Sequence, residues 1–360
     1  MKHNINNCFI DPVIKKDLFK SSMNKINLII DKIKVSKDPL LLSFLNQFDN
    51  YQEKKINKLA LYYQKSFKDV IILGTGGSSK AGRTFVQIAY RTFGRSPKFP
   101  KITFLENIDF QDFNDLFKKI NLKKTGIIVI SKSGETNETL IQFLVFLSKY
   151  KTNFKKKEIQ KYFTVITRKE SNSLRNLAKN FSINIMDIDS DLSGRFSAFS
   201  PVGLLPAAIS GLNIKKITEG AASLLNKSLK KKQKTPFEGA ALHFSAQKSK
   251  INISVLLTYT ERLRNFGYWH EQLMSESLGK KNIGFTPIHS MGATDQHSLL
   301  QLFLEGPKDK LITFIALKKQ KDRIKISNNL ISKVKKLSFL KKKSLNTLLD
   351  FEMEKVCKLL

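Results

Sequence analysis

Short apolar, β-prone runs recur at Asp69–Leu73, Ile102–Leu105, Ile127–Ile130, Phe163–Thr167 and Ile183–Ile188, and the residues between them follow a helical rather than an alternating pattern. Strand–helix alternation at this spacing predicts a parallel, doubly wound sheet whose strands are covered on both faces. A helix over Pro201–Leu212 closes this unit, and an amphipathic helix over Lys215–Lys231 connects it to a second one. The second unit has predicted strands at Ile251–Thr258, Phe285–His289 and Leu311–Ala316, with helices around Glu261–Leu278, Asp295–Leu304 and Leu345–Leu359. Residues 1–55 mix polar and apolar positions without strand alternation and predict helices. The expected organisation is therefore an α/β chain with a helical segment over 1–55 and two α/β subdomains over 56–212 and 213–360. Ligands of such folds gather at strand carboxyl ends, in a cleft between the two sheets.

Composition narrows the class. A chain of 360 residues that is 41% hydrophobic can bury a sizeable core and is not a disordered protein. No uninterrupted apolar run of about 18 residues occurs, and the first residues lack an apolar signal core, so a cytoplasmic protein without a membrane span is expected. Cys8 and Cys357 have no metal-binding spacing and are expected as free thiols. The net charge of +33, from 63 basic and 30 acidic residues, invites a nucleic-acid reading. Only nine of the 63 are arginines, however, and base and phosphate readers favour the planar guanidinium. The runs Lys155–Lys157, Lys230–Lys232 and Lys341–Lys343 fall between predicted elements and read as solvated faces. No specific nucleic-acid partner is expected.

Two glycine- and hydroxyl-bearing turns follow predicted strands. In the run from Thr125 to Thr139 the strand ends in Ser131-Lys132-Ser133-Gly134-Glu135-Thr136 and a helix follows. A helix start presents unpaired N–H groups and the positive end of the dipole, so Ser131, Ser133 and Thr136 form a candidate phosphate cradle. Gly74-Thr-Gly76-Gly77-Ser78-Ser79 lets a ligand approach the backbone closely. A Walker A loop is excluded, because no Gly-Lys-Ser/Thr follows. A dinucleotide fingerprint would need glycine in place of Ser79 and an acid about 20 residues on, whereas Glu106 stands about 30 on. A purely structural turn is the other alternative.

Candidate chemistry lies further along. His270-Glu271 lacks the second histidine of a zinc helix, since Met274 stands four residues on, so no metal is expected there. Gln272 and Glu276 share a helix face at i and i+4. Gly279 can end that helix, and both the dipole at its C-terminus and partial burial would raise the Glu276 carboxyl toward a general base's range; an exposed acid on an amphipathic helix is the alternative. Arg195, flanked by Ser193, Gly194 and hydroxyls, is a rare arginine in a lysine-rich chain and suggests a fixed planar cation, or a salt bridge. His297 stands at a predicted loop-to-helix start, suited to proton transfer or to a structural hydrogen bond.

Together the ordered motifs Gly74–Ser79, Ser131–Thr139, Gly194–Ser200, Gln272–Lys280 and Gly292–Ser298, with Gln301-Leu302 beyond, resemble the glucose-6-phosphate isomerase family over about residues 70 to 315. The resemblance implies two sugar-isomerase-type subdomains and a cofactor-free aldose–ketose isomerase of glycolysis and gluconeogenesis. It would interconvert glucose 6-phosphate and fructose 6-phosphate through a cis-enediol, with no metal, as a homodimer. It assigns Glu276 the proton shuttle between C1 and C2, Arg195 the enediolate-stabilising cation, and His297 ring opening in the neighbouring subunit. Ser131, Ser133 and Thr136 match its phosphate-binding hydroxyls, Lys132 lends its backbone, and Gly77, Ser78, Gly194 and Gln272 line the substrate site. The family usually continues past the helix at Leu345–Leu360 into an Asn-Pro-Phe-Asp-Gln-like segment and a later lysine. That segment does not occur here, Lys355 and Lys358 are not given its role, and ring opening is the step expected to suffer. Ser133 stands for the usual threonine, Ser193 for a common glycine, and Lys80 for an apolar residue. The rivals are a non-catalytic sugar-phosphate binder of the same fold and a sugar-phosphate-responsive regulator of DNA.

Overall fold

A computed structural model describes residues 4–9, 14–48, 52–90, 98–317, 324, 326–341 and 343–360; Met1–His3 and Lys342, within stretches read from the sequence, lie outside them. The chain divides by packing into two units. One comprises Lys20–Ala241, and the other comprises Leu242–Leu360 together with N-terminal residues up to Phe19.

The first unit is built on strands β1 (Asp69–Leu73), β2 (Lys101–Leu105), β3 (Thr125–Ile130), β4 (Phe163–Arg168) and β5 (Asn184–Ile188), all parallel in the order β2-β1-β3-β4-β5. β3 is buried at every position, as a central strand covered on both faces must be. In chain order the helices are α1 (Lys16–Lys34), α2 (Pro39–Asn46), α3 (Glu53–Ser66), α4 (Lys80–Tyr90), α5 (Phe110–Lys119), α6 (Asn137–Lys151), α7 (Lys156–Ile159), α8 (Ser173–Asn180), α9 (Pro201–Ile209) and α10 (Ile214–Leu229).

Alternation sorts the strand side chains between two layers. Ile71, Leu73, Ile127, Val129 and Val165 pack with Phe113 of α5, Phe143 and Phe146 of α6, and Leu174 of α8. On the opposite face, α9 is buried at all nine positions and packs against α3 and α4. Tyr63 of α3 donates to the Ile127 carbonyl at 3.0 Å, and its hydroxyl lies 2.9 Å from that of Thr164. Each fully buried apolar side chain of this kind contributes about 1.5–3 kcal/mol.

The second unit has helix α11 (Thr235–Lys248) entering it and strands β6 (Ile253–Thr258), β7 (Thr286–Met291) and β8 (Lys310–Ile315), parallel with β6 in the centre. Its helices are α12 (Arg264–Leu278), α13 (Leu300–Glu305), α14 (Asn328–Ser332) and α15 (Leu345–Leu359). Leu242, Ala246, Ile251, Phe285 and Leu311 form its core with Ile14.

The eight strands lie where the apolar runs place them, but the domain limits differ from expectation. The residues before Phe19 do not form one N-terminal segment with those up to 55, because Ile14, at 3% exposed, is part of the second unit's core. The first unit extends beyond 212 to Ala241, because Ile214 is buried, α10 packs on α9, and Lys231 pairs with Asp31 at 2.8 Å. Cys8 and Cys357 are free thiols in the second unit. Burial pushes the Cys8 thiol up, and nearby Cys357 adds to the shift. No described helix is long and apolar enough to cross a membrane.

Candidate active site

In the first unit the strand order reverses between β1 and β3, and the loops that follow these two strands open at the carboxyl edge of the sheet, the crevice where such folds bind ligands. After β3 the three hydroxyls named from the sequence converge. The Ser131 oxygen is 3.0 Å from that of Thr136 and 3.5 Å from that of Ser133, and Ser133 and Thr136 are 3.4 Å apart. Backbone donors orient them, with Gly134 N–H on Ser131 at 3.1 Å and Glu135 N–H on Ser133 at 3.2 Å. A hydroxyl that accepts from the backbone still has its proton to give to an anion. Thr136 is the N-cap of α6 but its side chain makes no cap bond, so the hydroxyl stays with the cluster. The helix's positive end adds to the attraction for a phosphate.

Neighbouring elements hold this turn in shape. Lys132's carbonyl accepts from Arg168 N–H at 3.2 Å and the Thr167 hydroxyl at 3.3 Å, which in a trans peptide turns the Ser133 N–H away from β4. Gly134 has φ +70°, and a Cβ there would strike the side chain of Asn172, the N-cap of α8. Glu135 accepts from Ser173 N–H at 2.7 Å, and the Ser173 contacts, hydroxyl first, hold its carboxyl below the usual range.

The loop after β1 meets the arginine segment. Gly76–Ser78 forms a 3-10 turn, and a Cβ on Gly77 would stand 2.5 Å from the Gly194 carbonyl carbon, so only glycine admits this approach. The Ser197 hydroxyl donates to the Gly194 carbonyl at 2.6 Å and fastens the same crossing. Arg195 follows, donating to the Ser193 hydroxyl at 2.9 Å while its guanidinium lies 4.7 Å from the Phe196 ring centroid. Ser193 therefore orients Arg195, a role that the sequence did not suggest. Glu106 carries none of the freedom that a ribose-binding acid needs: it is engaged by the Ser79 hydroxyl and by Arg83 at 2.5 Å.

The second unit carries the acid–base candidates. α12 ends at Leu278 with Gly279 as its C-cap, so Glu276 does sit in the last turn. Gln272 donates from Nε2 to the Glu276 carboxylate at 2.8 Å, as the i and i+4 spacing implies. The expected partial burial of Glu276 is not found: the residue is exposed, and Gly267, the buried position of α12, lies on the opposite face of the helix. Gln272 Oε1, by contrast, is buried without a hydrogen-bond partner among the described residues and is available to a donor such as a sugar hydroxyl. His297 is exposed, in a 3-10 turn over Thr294–His297.

Sequence reasoning weighed His270 only as a metal ligand and passed over the other two half-buried histidines of this unit. His243 lies 3.0 Å from the Ser254 hydroxyl, and His289 lies 3.1 Å from that of Thr258 while its backbone N–H donates to Glu271 at 2.8 Å. Burial, then the neighbouring His243 and His289, push His270 down to about 4, and burial also lowers His289. The His270 imidazole is neutral at pH 7. Three of the chain's five histidines within 47 positions was the available signal. Among the described residues no group of histidine, cysteine and carboxylate side chains could hold a metal ion.

Comparison with known proteins gives this arrangement a context. A family model described as phosphoglucose isomerase matches residues 41–338. The chain is 34% identical over 316 residues to a probable glucose-6-phosphate isomerase of Methanococcus maripaludis, covering 87% of this chain and 70% of that one. It is 34% identical over 318 residues to a glucose-6-phosphate isomerase of Carboxydothermus hydrogenoformans, covering 83% and 67%. A crystal structure of a hypothetical protein from Thermus thermophilus superposes with a TM-score of 0.83 at 24% identity, over 96% of this chain and 83% of that one, a likeness of fold.

Proposed function

The chain belongs to the phosphoglucose isomerase family, and from that premise we propose that it interconverts glucose 6-phosphate and fructose 6-phosphate through a cis-enediol, with Glu276 as the base. The observation that carries this reading is the three-hydroxyl cradle at the carboxyl edge of β3, formed from Ser131, Ser133 and Thr136 and backed by the start of α6. A remote anion grip of this kind holds the reacting carbons in place and supplies binding energy to the step.

Aldose and ketose are isomers, so atoms and electrons balance within the sugar. The Glu276 carboxylate takes the proton from C2 of the open-chain aldose, the C2–H electron pair becomes the C1–C2 double bond, and the carbonyl pair moves onto O1. The O2 hydroxyl proton passes to O1, and Glu276 returns the carbon-bound proton to C1 as the pair left on O2 forms the new carbonyl, so both protons stay within the sugar and the base is regenerated. Arg195, oriented by Ser193, meets the negative charge that develops on oxygen. Gln272 holds the Glu276 carboxylate and offers its Oε1 to a sugar hydroxyl. Gly77, Ser78 and Gly194 line the sugar, with Lys132 contributing backbone. His297 opens the ring in a partner subunit of a cytoplasmic homodimer, a role supported by its exposed position.

An assay converting fructose 6-phosphate and reading glucose 6-phosphate tests the proposal. Turnover that Glu276→Gln lowers about 10²–10⁴-fold is expected, the range for a lost general base. Saturable substrate binding without turnover in the parent chain would instead leave a sugar-phosphate binder.

A further inference from the structure

A second cavity, separate from the hydroxyl cradle, lies in the first unit. Its volume is about 180 Å³, and its apolar wall comes from α3, β5, α9 and α10 through residues such as Ile56, Ile188, Leu204 and Ile214. Ser43 and Gln47, four residues apart at the end of α2, line it as well. Ser43 is 6% exposed, and neither its Oγ nor the Gln47 Oε1 has a hydrogen-bond partner among the described residues. Gln47 Nε2 is committed to the Phe44 carbonyl at 2.9 Å, which fixes the amide with its oxygen left over. An amide oxygen only accepts, and a buried acceptor left unpaired costs about 1–3 kcal/mol, so the complementary ligand brings a donor.

Charge sharpens the chemistry. Glu53 of α3 and the exposed Asp189, whose Oδ1 accepts from Asp191 N–H at 2.9 Å, also line the cavity, in a chain whose net charge is +33. An anion is repelled there and a cation attracted. A cavity of about 150 Å³ is known to hold benzene, so this one takes one ring or a short aliphatic chain with a single polar head.

We propose that this cavity is a binding site for a small molecule with a compact apolar body and a protonated amine, the amine donating to Gln47 Oε1 and the body packing on the α3–α9 wall. The site touches the arginine segment. Phe44 of α2 meets Phe196 with ring centroids 5.6 Å apart, and Phe48, just past the end of α2, meets Phe199 at 5.1 Å, so two ring contacts join this segment to the turn that carries Arg195.

Calorimetric titration of the full chain with benzylamine, benzyl alcohol and benzoate at pH 7 tests the site. Expected are one-site saturable binding of benzylamine, at least tenfold weaker binding of benzyl alcohol, no binding of benzoate, and at least a tenfold loss of benzylamine affinity in Gln47→Leu. Ser43→Ala, a smaller change, is expected to weaken binding about threefold and carries the test if thermal unfolding shows Gln47→Leu misfolded. Absent saturation with benzylamine, affinity for benzoate equal to that for benzylamine, or undiminished affinity in the folded variants would overturn the proposal.

Discussion

The hydroxyl turn after β3 in the first unit and the end of α12 in the second are built in opposite ways. The turn is tied down on every side: Ser131 and Ser133 accept from backbone N–H groups, Lys132 is bonded to β4, Gly134 fits against Asn172, and Glu135 reaches Ser173. At the end of α12, Glu276 is exposed and Gln272 keeps a buried oxygen without a partner among the described residues. The anchor is preformed, whereas the proton-transfer end has hydrogen-bonding capacity that substrate must complete. A rigid grip at one end and an unfilled one at the other suits an enzyme that spends phosphate binding energy on placing C1 and C2.

Substitutions in the two regions should therefore fail differently. Arg195→Ala removes the cation proposed to meet developing charge and should lower kcat about 10²–10³-fold, the cost of losing one such donor, with little change in fructose 6-phosphate affinity measured by calorimetry. A proportional loss of affinity would make Arg195 part of the grip instead. Acid should separate the units. His270 has a folded value of about 4 against an ordinary 6.5, so the unfolded chain binds the proton first. The stability this gives is full above pH 6.5, is lost as pH falls toward 4, and amounts to about 3 kcal/mol at most. Urea unfolding across that window should show a shallower decline in His270→Gln, and an unchanged slope would remove His270 as the cause.

Thr136→Val keeps the shape of the turn and deletes one hydroxyl of the cradle. It should lower kcat/KM about 10-fold or more with part of the loss in kcat, since a lost hydrogen bond to a charged group is worth about 1.5–3 kcal/mol and the grip spends its energy on placing C1 and C2. A rise in KM alone would mean that the grip acts equally on ground and transition states. The smallest effect is expected from benzylamine at saturation. Through Phe44 and Phe196 it should change kcat about twofold, whereas proven binding with unaltered kinetics would show the Arg195 turn to be insulated from α2.

Legibility in the sequence followed the range of the interactions. The eight strands could be read because central parallel strands are continuous apolar runs, and the hydroxyl cradle because Ser131, Ser133 and Thr136 lie within six residues of one another. Strand starts were less exact. β6 begins at Ile253 and not Ile251, because Ile251 packs into the core before the ladder begins. The placement of Ile14 in the second unit's core was out of reach, since nothing local says which of two cores an N-terminal isoleucine joins. Spacing put Gln272 and Glu276 on one face of a helix but could not tell which face the fold would cover. Ser193 was noted as a neighbour of Arg195 and a departure from glycine, but spacing could not show that its hydroxyl accepts from the guanidinium.

The pairing of these two regions around one sugar is tested most directly by following deuterium uptake at C1 of fructose 6-phosphate in D₂O by NMR, in the parent chain and in Glu276→Gln. The parent should exchange the C1 proton, and the variant should lose exchange by about 10²-fold or more while binding fructose 6-phosphate within about threefold of the parent. Exchange that survives in Glu276→Gln, or a parent that binds the sugar phosphate and exchanges nothing, would contradict the assignment.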